Sequence, residues 1–207
     1  MKPWKVVVIV HLAILALIMA SAWYVMWRGF SARAQPSSIE TLMATTARKL
    51  AVPSSYRTLH NTVPASPENV RAGMEHFADH CATCHANDGS GDTMFGKGMY
   101  PRPPDMRLAA TQSKSDGELC YTIQKGVRFT GMPAFGEEHA SAAGDMHTWQ
   151  LVLFIRHLPQ LTAAERSEME QLNPRTEEES EEEKQEQEFL NEGVVPEKSR
   201  SDPRHHH

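Results

Sequence analysis

The sequence lacks the features of several large classes of protein. Only 3 of its 207 residues are cysteine, which is too few for a disulfide scaffold, and 7% are aromatic. A single long apolar run excludes a polytopic membrane protein, and no stretch alternates between apolar and polar residues as a β-strand does. With 40% hydrophobic and 23% charged residues, the chain is neither collagen-like nor fully disordered. We therefore expect a helical protein.

The formal net charge of −5 is unevenly distributed along the chain. Residues 1–27 carry +2, residues 28–64 carry +4, residues 65–160 carry −3 and residues 165–207 carry −8. The acidity belongs mostly to the C-terminal segment, so the average charge of the chain does not predict its partners. We expect no nucleic-acid partner.

The long apolar run lies at the N-terminus. Residues 6–27 form 22 positions whose clearly polar members are His11 and Ser21. As a helix they span about 33 Å, enough to cross a hydrocarbon core of about 30 Å. Trp4 at one end and Trp23 at the other suit membrane interfaces. Residues 1–27 are therefore predicted to be a single transmembrane anchor.

A cleaved signal peptide is the alternative for this segment. Lys2 and Lys5 form a basic start, and residues 32–34 read Ala-Arg-Ala, which predicts cleavage after Ala34. The apolar run is, however, longer than the usual 7–15 residues of a signal peptide. The uncleaved anchor is the favoured interpretation.

A basic linker, residues 28–64, follows the anchor. Within it Ser37 and Glu40 have the spacing of a capping box, and Pro53 ends the helix that this box predicts. The apolar positions of this amphipathic helix are Ile39, Leu42, Met43 and Leu50. Two interpretations remain open: the helix lies on anionic lipid beside the anchor, or it packs on the following domain or serves as a spacer.

Residues 65–160 are predicted to be the globular domain. Helices are expected after Ser66, after Ser115 and over residues 148–158, with a loop of nearly thirty residues at 86–114. A small helical core interrupted by so long a loop indicates that something other than side chains fills its middle.

The C-terminal part divides into two segments. Residues 161–174 are predicted to form a short helix capped by Thr162 and Glu165. Residues 175–207 are a Glu-rich tail, in which 8 of the 12 residues at 177–188 are Glu. Such a run is most simply solvated and disordered, and docking of a basic partner or of divalent cations is the alternative.

Cys81-Ala82-Thr83-Cys84-His85 is the motif that carries the chemistry. Cys-x-x-Cys-His is the attachment signature of c-type haem. Two thiols three positions apart reach the two vinyl groups of the porphyrin, and the adjacent histidine comes beneath the iron. A thioredoxin-like redox pair would need a βαβ context, and a zinc site would need a second ligand pair that Cys120 supplies poorly.

Residues 65–160 resemble the class I cytochrome c domains of the small bacterial monohaem type. The first helix matches at Gly73 and Phe77, which lie eight and four residues before Cys81. The other matching positions are Trp149, Leu151 and Phe154 in the last helix, residues 116–119, residues 126–136, and Pro103-Pro104. The resemblance covers slightly under half of the chain.

The resemblance implies an all-α class I cytochrome c fold around one covalently attached haem c. It implies that Cys81 and Cys84 form the thioethers, that His85 is the proximal iron ligand and that Met132 is the distal iron ligand. It also implies that a backbone carbonyl of Pro103-Pro104 accepts a hydrogen bond from the ring of His85.

Met132 follows His85 by 47 residues, between Gly131 and Pro133 on a turn-forming segment. Met94, Met99 and Met106 are set aside because they lie too close to the proximal side. Met146, His139 and His147 remain as substitutes for the sixth ligand. Cys120 is interpreted as a small buried thiol, with a redox role as the alternative, and His11 as a tolerated polar residue of the anchor.

Ligation by His and Met fills both axial positions, which favours electron transfer over catalysis and leaves assignment as an enzyme open. We expect a membrane-tethered carrier of single electrons on the periplasmic side of the inner membrane, with redox proteins as partners. The alternatives are a haem subunit of a larger respiratory complex, such as an oxidase or dehydrogenase, and a haem-based sensor or peroxidase with an exchangeable sixth ligand.

Overall fold

Helices are the regular elements of the computed structural model, which describes residues 2–29, 31–136, 145–175, 181, 184–185 and 188–190. The α-helices are α1 Pro3–Arg28, α2 Ser38–Ala51, α3 Ser54–Arg57, α4 Pro67–His80, α5 Ala82–His85, α6 Met94–Gly98, α7 Ala109–Gln112, α8 Asp116–Lys125, α9 Met146–His157 and α10 Ala163–Leu172. A 3₁₀ turn, Leu158–Gln160, follows α9. The part of the chain that is described contains no strand, so the all-α prediction is confirmed.

The helix α1 is apolar between Lys5 near its start and Arg28 at its end, apart from His11 and Ser21, and it is exposed at every described position. It has 26 residues and an 18-residue window with a mean hydropathy of 2.5. Within the described residues it is the one helix long and apolar enough to cross a membrane, a test that an N-terminal signal sequence also passes. The Nδ1–H of His11 donates to the carbonyl of Val7 at 2.8 Å, so this polar atom is satisfied inside the helix.

The linker helix α2 begins with the capping box that the sequence predicts. The Ser37 hydroxyl accepts from the backbone N–H of Glu40, and the Glu40 carboxylate accepts from the N–H of Ser37. At its other end, Arg57 donates to the backbone carbonyls of Lys49 and Leu50, at 2.7 and 3.3 Å. Two of the last carbonyl groups of α2 are therefore satisfied by a side chain beyond the helix.

The helices α4 and α9 form the centre of the core. Gly73 lies against the backbone carbonyl of Gln150, and the rings of Phe77 and Phe154 pack with their centroids 5.2 Å apart. The buried apolar side chains of this core are Met74, Phe77, Ala78, Ala82, Met106, Leu119, Cys120, Ile123, Trp149, Leu151, Val152, Phe154, Ile155, Leu158 and Met169. Burying a side chain as large as Phe contributes about 1.5–3 kcal/mol.

The packed region extends on both sides of the predicted limits 65 and 160. Upstream, the carbonyl of Tyr56 lies against Gly117 of α8, and the Tyr56 hydroxyl donates to the side chain of Gln124 at 3.0 Å. Downstream, Met169 of α10 is fully buried in the same core. The domain limits remain predictions, because this packing continues from both neighbouring segments without a break.

The sequence predicts a continuous loop at residues 86–114, and the structure contains the two short helices α6 and α7 there. The Thr93 hydroxyl caps α6 by accepting from the N–H of Gly96 at 2.8 Å. Helices of four or five residues complete little more than one turn, so they produce no apolar period that a sequence pattern can detect. Most of the predicted tail at 175–207, including most of 177–188, lies outside the described residues.

We expect Gly73→Ala to lower the free energy of unfolding of the haem-loaded protein by about 1–3 kcal/mol or more. A Cβ at this position overlaps the carbonyl oxygen of Gln150 and comes within 3.0 Å of the Phe154 Cβ, so α4 and α9 must move apart. Chemical denaturation followed by circular dichroism measures the change.

Gly98→Ala is the matched control, because a Cβ at Gly98 has no atom within 4 Å. We expect this variant to be neutral or stabilised by less than about 1 kcal/mol. Equal destabilisation by the two substitutions contradicts a tight crossing at Gly73.

Candidate functional site

The Cys-x-x-Cys-His segment forms the turn that ends α4. The N–H of Cys81 donates to the carbonyl of Phe77 at 2.8 Å, which carries the helical pattern of α4 into the motif. The N–H of His85 then donates to the carbonyl of Cys81 at 2.9 Å. Ala86, with φ +60°, turns the chain away immediately after His85. Both cysteines and the histidine are thereby held by the same turn.

The segment around Met132 is tied back to α8 by backbone hydrogen bonds. The N–H of Val127 donates to the carbonyl of Met132 at 3.1 Å, and the N–H of Phe135 donates to the carbonyl of Ile123 at 3.0 Å. Gly126 has φ +63°, and a Cβ there lies only 2.8 Å from the Met132 carbonyl oxygen. Glycine therefore permits both the turn after α8 and the close return of the Met132 segment.

A single cleft brings the four predicted site residues together. Cys81, Cys84, His85 and Met132 all line it, and its volume is about 1120 Å³ including the open space at its mouth. Most of the remaining lining is apolar: Phe77, Met99, Pro101, Pro103, Pro104, Met106, Leu119, Ile123, Val127, Pro133, Phe135, Leu151 and Ile155. The lining of the cleft suits a mostly apolar group.

The charged residues that line the cleft are all cationic: Arg48, Arg102 and Lys114. The described lining contains no carboxylate. Thr111 also lines the cleft, and its hydroxyl is buried without a hydrogen-bond partner. An apolar cleft with cations and a free hydroxyl suits a ligand that is apolar over most of its surface and carries carboxylate groups, as haem does.

His85 is held in a form that binds metal. Burial lowers the pKa of its ring to about 4, so the imidazole is neutral at physiological pH, as a metal ligand must be. Its Nδ1 is buried without a hydrogen-bond partner. The expected hydrogen bond from this ring to a carbonyl of Pro103-Pro104 is therefore absent in the structure.

The thiols do not have the properties of a thioredoxin-like redox pair. Burial raises the pKa of Cys81 to about 12 and also raises the pKa of Cys84. Reactive redox cysteines have lowered pKa values, because the thiolate is the nucleophile. No group of three or more His, Cys, Asp or Glu side chains within the described chain is arranged to hold a metal ion, so the zinc alternative has no support there.

Cys120 lies on α8 inside the hydrophobic core and is fully buried. Burial is also the first cause that raises the pKa of its thiol to about 12, and the charge of Asp145 is the second. A buried, protonated thiol matches the interpretation of Cys120 as a small core residue.

The candidates for a sixth iron ligand are separated by position. Met94 is 81% exposed and Met146 is 56% exposed, and neither lines the cleft. His147 stacks on His76 with centroids 5.7 Å apart, also outside the cleft. His139 lies outside the described residues.

Met99 is a second thioether beside the distal segment, contrary to the expectation that it lies near the proximal side. It lines the cleft, and its sulfur is 2.9 Å from the position of a Cβ on Gly131, the residue before Met132. The short sequence separation between Met99 and His85 does not predict its position, because the loop folds back across the cleft. Met106 lines the cleft too, and the N–H of Met106 donates to the carbonyl of Gly89 at 2.8 Å.

Comparison with known families identifies the region that contains these residues. Residues 68–155 match the family model described as "Cytochrome C oxidase, cbb3-type, subunit III". The match covers all but the first residue of α4 and all but the last two residues of α9, and it includes the Cys-His turn and Met132. No curated protein matches the chain.

We expect Cys81→Ala or Cys84→Ala to remove one covalent link to haem. The haem of the single variants then gives a shifted pyridine haemochrome spectrum, since one vinyl group stays unsaturated. The doubly substituted protein releases all of its haem into acidified organic solvent. Cys120→Ala is the control and retains covalent haem, because Cys120 lies in the core and does not line the cleft. Full retention of covalent haem by the double variant contradicts the assignment.

Proposed function

Since residues 68–155 form a class I c-type cytochrome domain, we propose that the protein is a membrane-tethered monohaem carrier that moves single electrons between extracytoplasmic redox partners. The observation that carries the proposal is the shared cleft. Two cysteines, a neutral histidine and a methionine line one mostly apolar space. This is the donor set of a c-type haem with two axial ligands.

Each side chain has a separate part in this site. Cys81 and Cys84 would attach the haem, and His85 and Met132 would ligate its iron. The bound haem supplies an iron that cycles between Fe(III) and Fe(II). The apolar lining excludes water, and a thioether ligand favours the reduced state, so both raise the reduction potential.

With both His85 and Met132 as ligands, the iron would have no open position for oxygen or peroxide. The backbone bonds from Val127 and Phe135 support this arrangement, because they hold the Met132 segment beside the cleft. Such a site exchanges electrons through an edge of the haem, during short encounters with partners that bury less than about 1,200 Å².

The tether proposed for this carrier is α1. A helix of 26 residues, apolar and exposed along its length, supports anchoring in one bilayer. Covalent haem attachment takes place outside the bacterial cytoplasm, so we place the domain on the periplasmic side of the inner membrane. The C-terminal segment Asn173–His207 carries most of the acidic excess of the chain, and we assign it no part in electron transfer.

A second candidate function is that of a haem subunit in a larger respiratory complex. The description of the matching family, a subunit of a cbb3-type oxidase, is the specific observation that favours it. The match spans the haem domain and leaves out α1, α2 and α10, which are the segments that would contact other subunits.

We expect Met132→Ala to abolish the charge-transfer absorbance that a methionine sulfur gives ferric haem and to open the reduced iron to carbon monoxide. The loss of the thioether shifts the Fe(III)/Fe(II) equilibrium toward Fe(III) by at least about tenfold, or about 59 mV for one electron. Optical redox titration and carbon monoxide binding measure both effects.

Met99→Ala is the matched control, since Met99 is the other thioether beside Gly131. This variant keeps the absorbance band and excludes carbon monoxide if Met132 is the ligand. Loss of the absorbance band in Met99→Ala and its retention in Met132→Ala would identify Met99 as the iron ligand instead. Rapid carbon monoxide binding by the unaltered protein supports a sensor or peroxidase instead.

The carrier and the complex subunit are distinguished by purification from membranes in mild detergent. We expect the protein to migrate alone and to exchange electrons with an added soluble cytochrome at a rate proportional to its concentration. Co-migration with further subunits, at constant stoichiometry through two columns, establishes the second candidate. Mass spectrometry of the same sample tests cleavage after Ala34, which removes α1.

A further inference from the structure

The linker contributes one residue to the haem cleft. Arg48 lies on α2, twenty residues before the start of the family match at 68, and yet it lines the same cleft as His85 and Met132. The side chain is exposed, so it covers the mouth of the cleft rather than its floor. Arg48 therefore lies outside the residues that match the cytochrome family.

Contacts on both sides of Arg48 fix α2 beside the haem domain. Near the start of the helix, the Glu40 carboxylate accepts a hydrogen bond from the hydroxyl of Tyr100, which follows the cleft residue Met99. Beyond its end, Val52 is buried with 6% of its surface exposed. A helix held at both ends cannot swing freely, so Arg48 is kept at the cleft.

Arg48 lies close to another cation of the cleft. Lys114 is partly buried. Burial is the largest cause that lowers its pKa and the charge of Arg48 is the second, while the charge of Glu118 raises it. Like charges near each other in a partly buried site are unfavourable unless an anion lies between them. No carboxylate among the described lining residues supplies that anion.

A buried hydroxyl points to the same ligand chemistry. Thr111 is only 3% exposed, lines the cleft and has no hydrogen-bond partner for its Oγ1. A buried hydroxyl without a partner costs about 1–3 kcal/mol, which a ligand oxygen removes by accepting its hydrogen bond. Thr111 and Lys114 lie three positions apart, and the N–H of Lys114 donates to the Thr111 carbonyl at 3.1 Å.

We propose that Arg48 of the linker helix, together with Lys114 and the Thr111 hydroxyl, binds a propionate carboxylate of the haem. This inference rests on the proposed haem site and adds to it a residue from outside the cytochrome domain. The helix α2 is then part of the cofactor site and not only a spacer between the membrane and the domain. In this proposal Arg48 binds the propionate and does not contact the iron.

The proposed contact has an electrostatic consequence. An anionic propionate stabilises Fe(III), and a cation bound to it offsets that effect. Arg48 therefore raises the reduction potential of the haem, and the linker that tethers the domain also adjusts its driving force for electron transfer. One charge acting over several ångströms through a partly aqueous path changes an equilibrium by a few-fold.

The test compares Arg48→Gln with Lys49→Gln in the full-length, haem-loaded protein in detergent. Both variants remove one positive charge from adjacent positions of α2, but Lys49 does not line the cleft. We expect Arg48→Gln to shift the Fe(III)/Fe(II) equilibrium toward Fe(III) by about threefold, or about 28 mV for one electron. Lys49→Gln is expected to shift it by less than a third of that amount, measured in mV.

Resonance Raman spectroscopy adds a measurement of the propionate itself, which a merely structural effect of the substitution would leave unchanged. The propionate bending band shifts in Arg48→Gln and in Lys114→Gln and is restored in Arg48→Lys, while Lys49→Gln leaves it unchanged. Equal potentials and unshifted bands in the two glutamine variants of α2 overturn the proposal. Because the methionine absorbance band is recorded on the same samples, that outcome is separable from failure of the haem site itself.

Discussion

The close crossing of α4 and α9 is the contact on which the remaining structure depends. Gly73 lets the backbone of α9 approach until the Gln150 carbonyl touches it, and Phe77 and Phe154 pack beside this point. The same helix α4 leads directly into the Cys-His turn, through the hydrogen bond from the Cys81 N–H to the Phe77 carbonyl. The helix pair therefore forms the core and also determines where His85 lies. A displacement at the crossing changes the site as well as the stability.

The core and the cleft share side chains, which explains how so small a domain tolerates a long irregular segment. Phe77, Leu119 and Ile155 belong both to the buried core and to the lining of the cleft. In a domain of this size, much of the apolar surface that drives folding faces the cofactor and not another side chain. Haem binding and folding are thus expected to be coupled, because each supplies surface that the other needs.

The linker has two surfaces with different environments. Its apolar positions, such as Leu42 and Leu50, are exposed, whereas Glu40 and Arg48 meet the haem domain at Tyr100 and at the cleft. Both interpretations of this helix that the sequence leaves open are therefore compatible with one arrangement. One face packs on the domain, while the apolar face is exposed.

The sequence alone determined the chemistry that we propose for this protein, because covalent haem attachment needs two thiols and a histidine at a fixed local spacing. It also determined the capping boxes at Ser37 and Ser115, since both depend on residues three positions apart. Only the tertiary structure decided that Met99 lies beside Gly131, that Arg48 reaches the cleft and that His85 lacks its expected carbonyl partner. Those contacts join positions far apart in the chain. They depend on how the loop and the linker fold back over the domain, which local patterns do not encode.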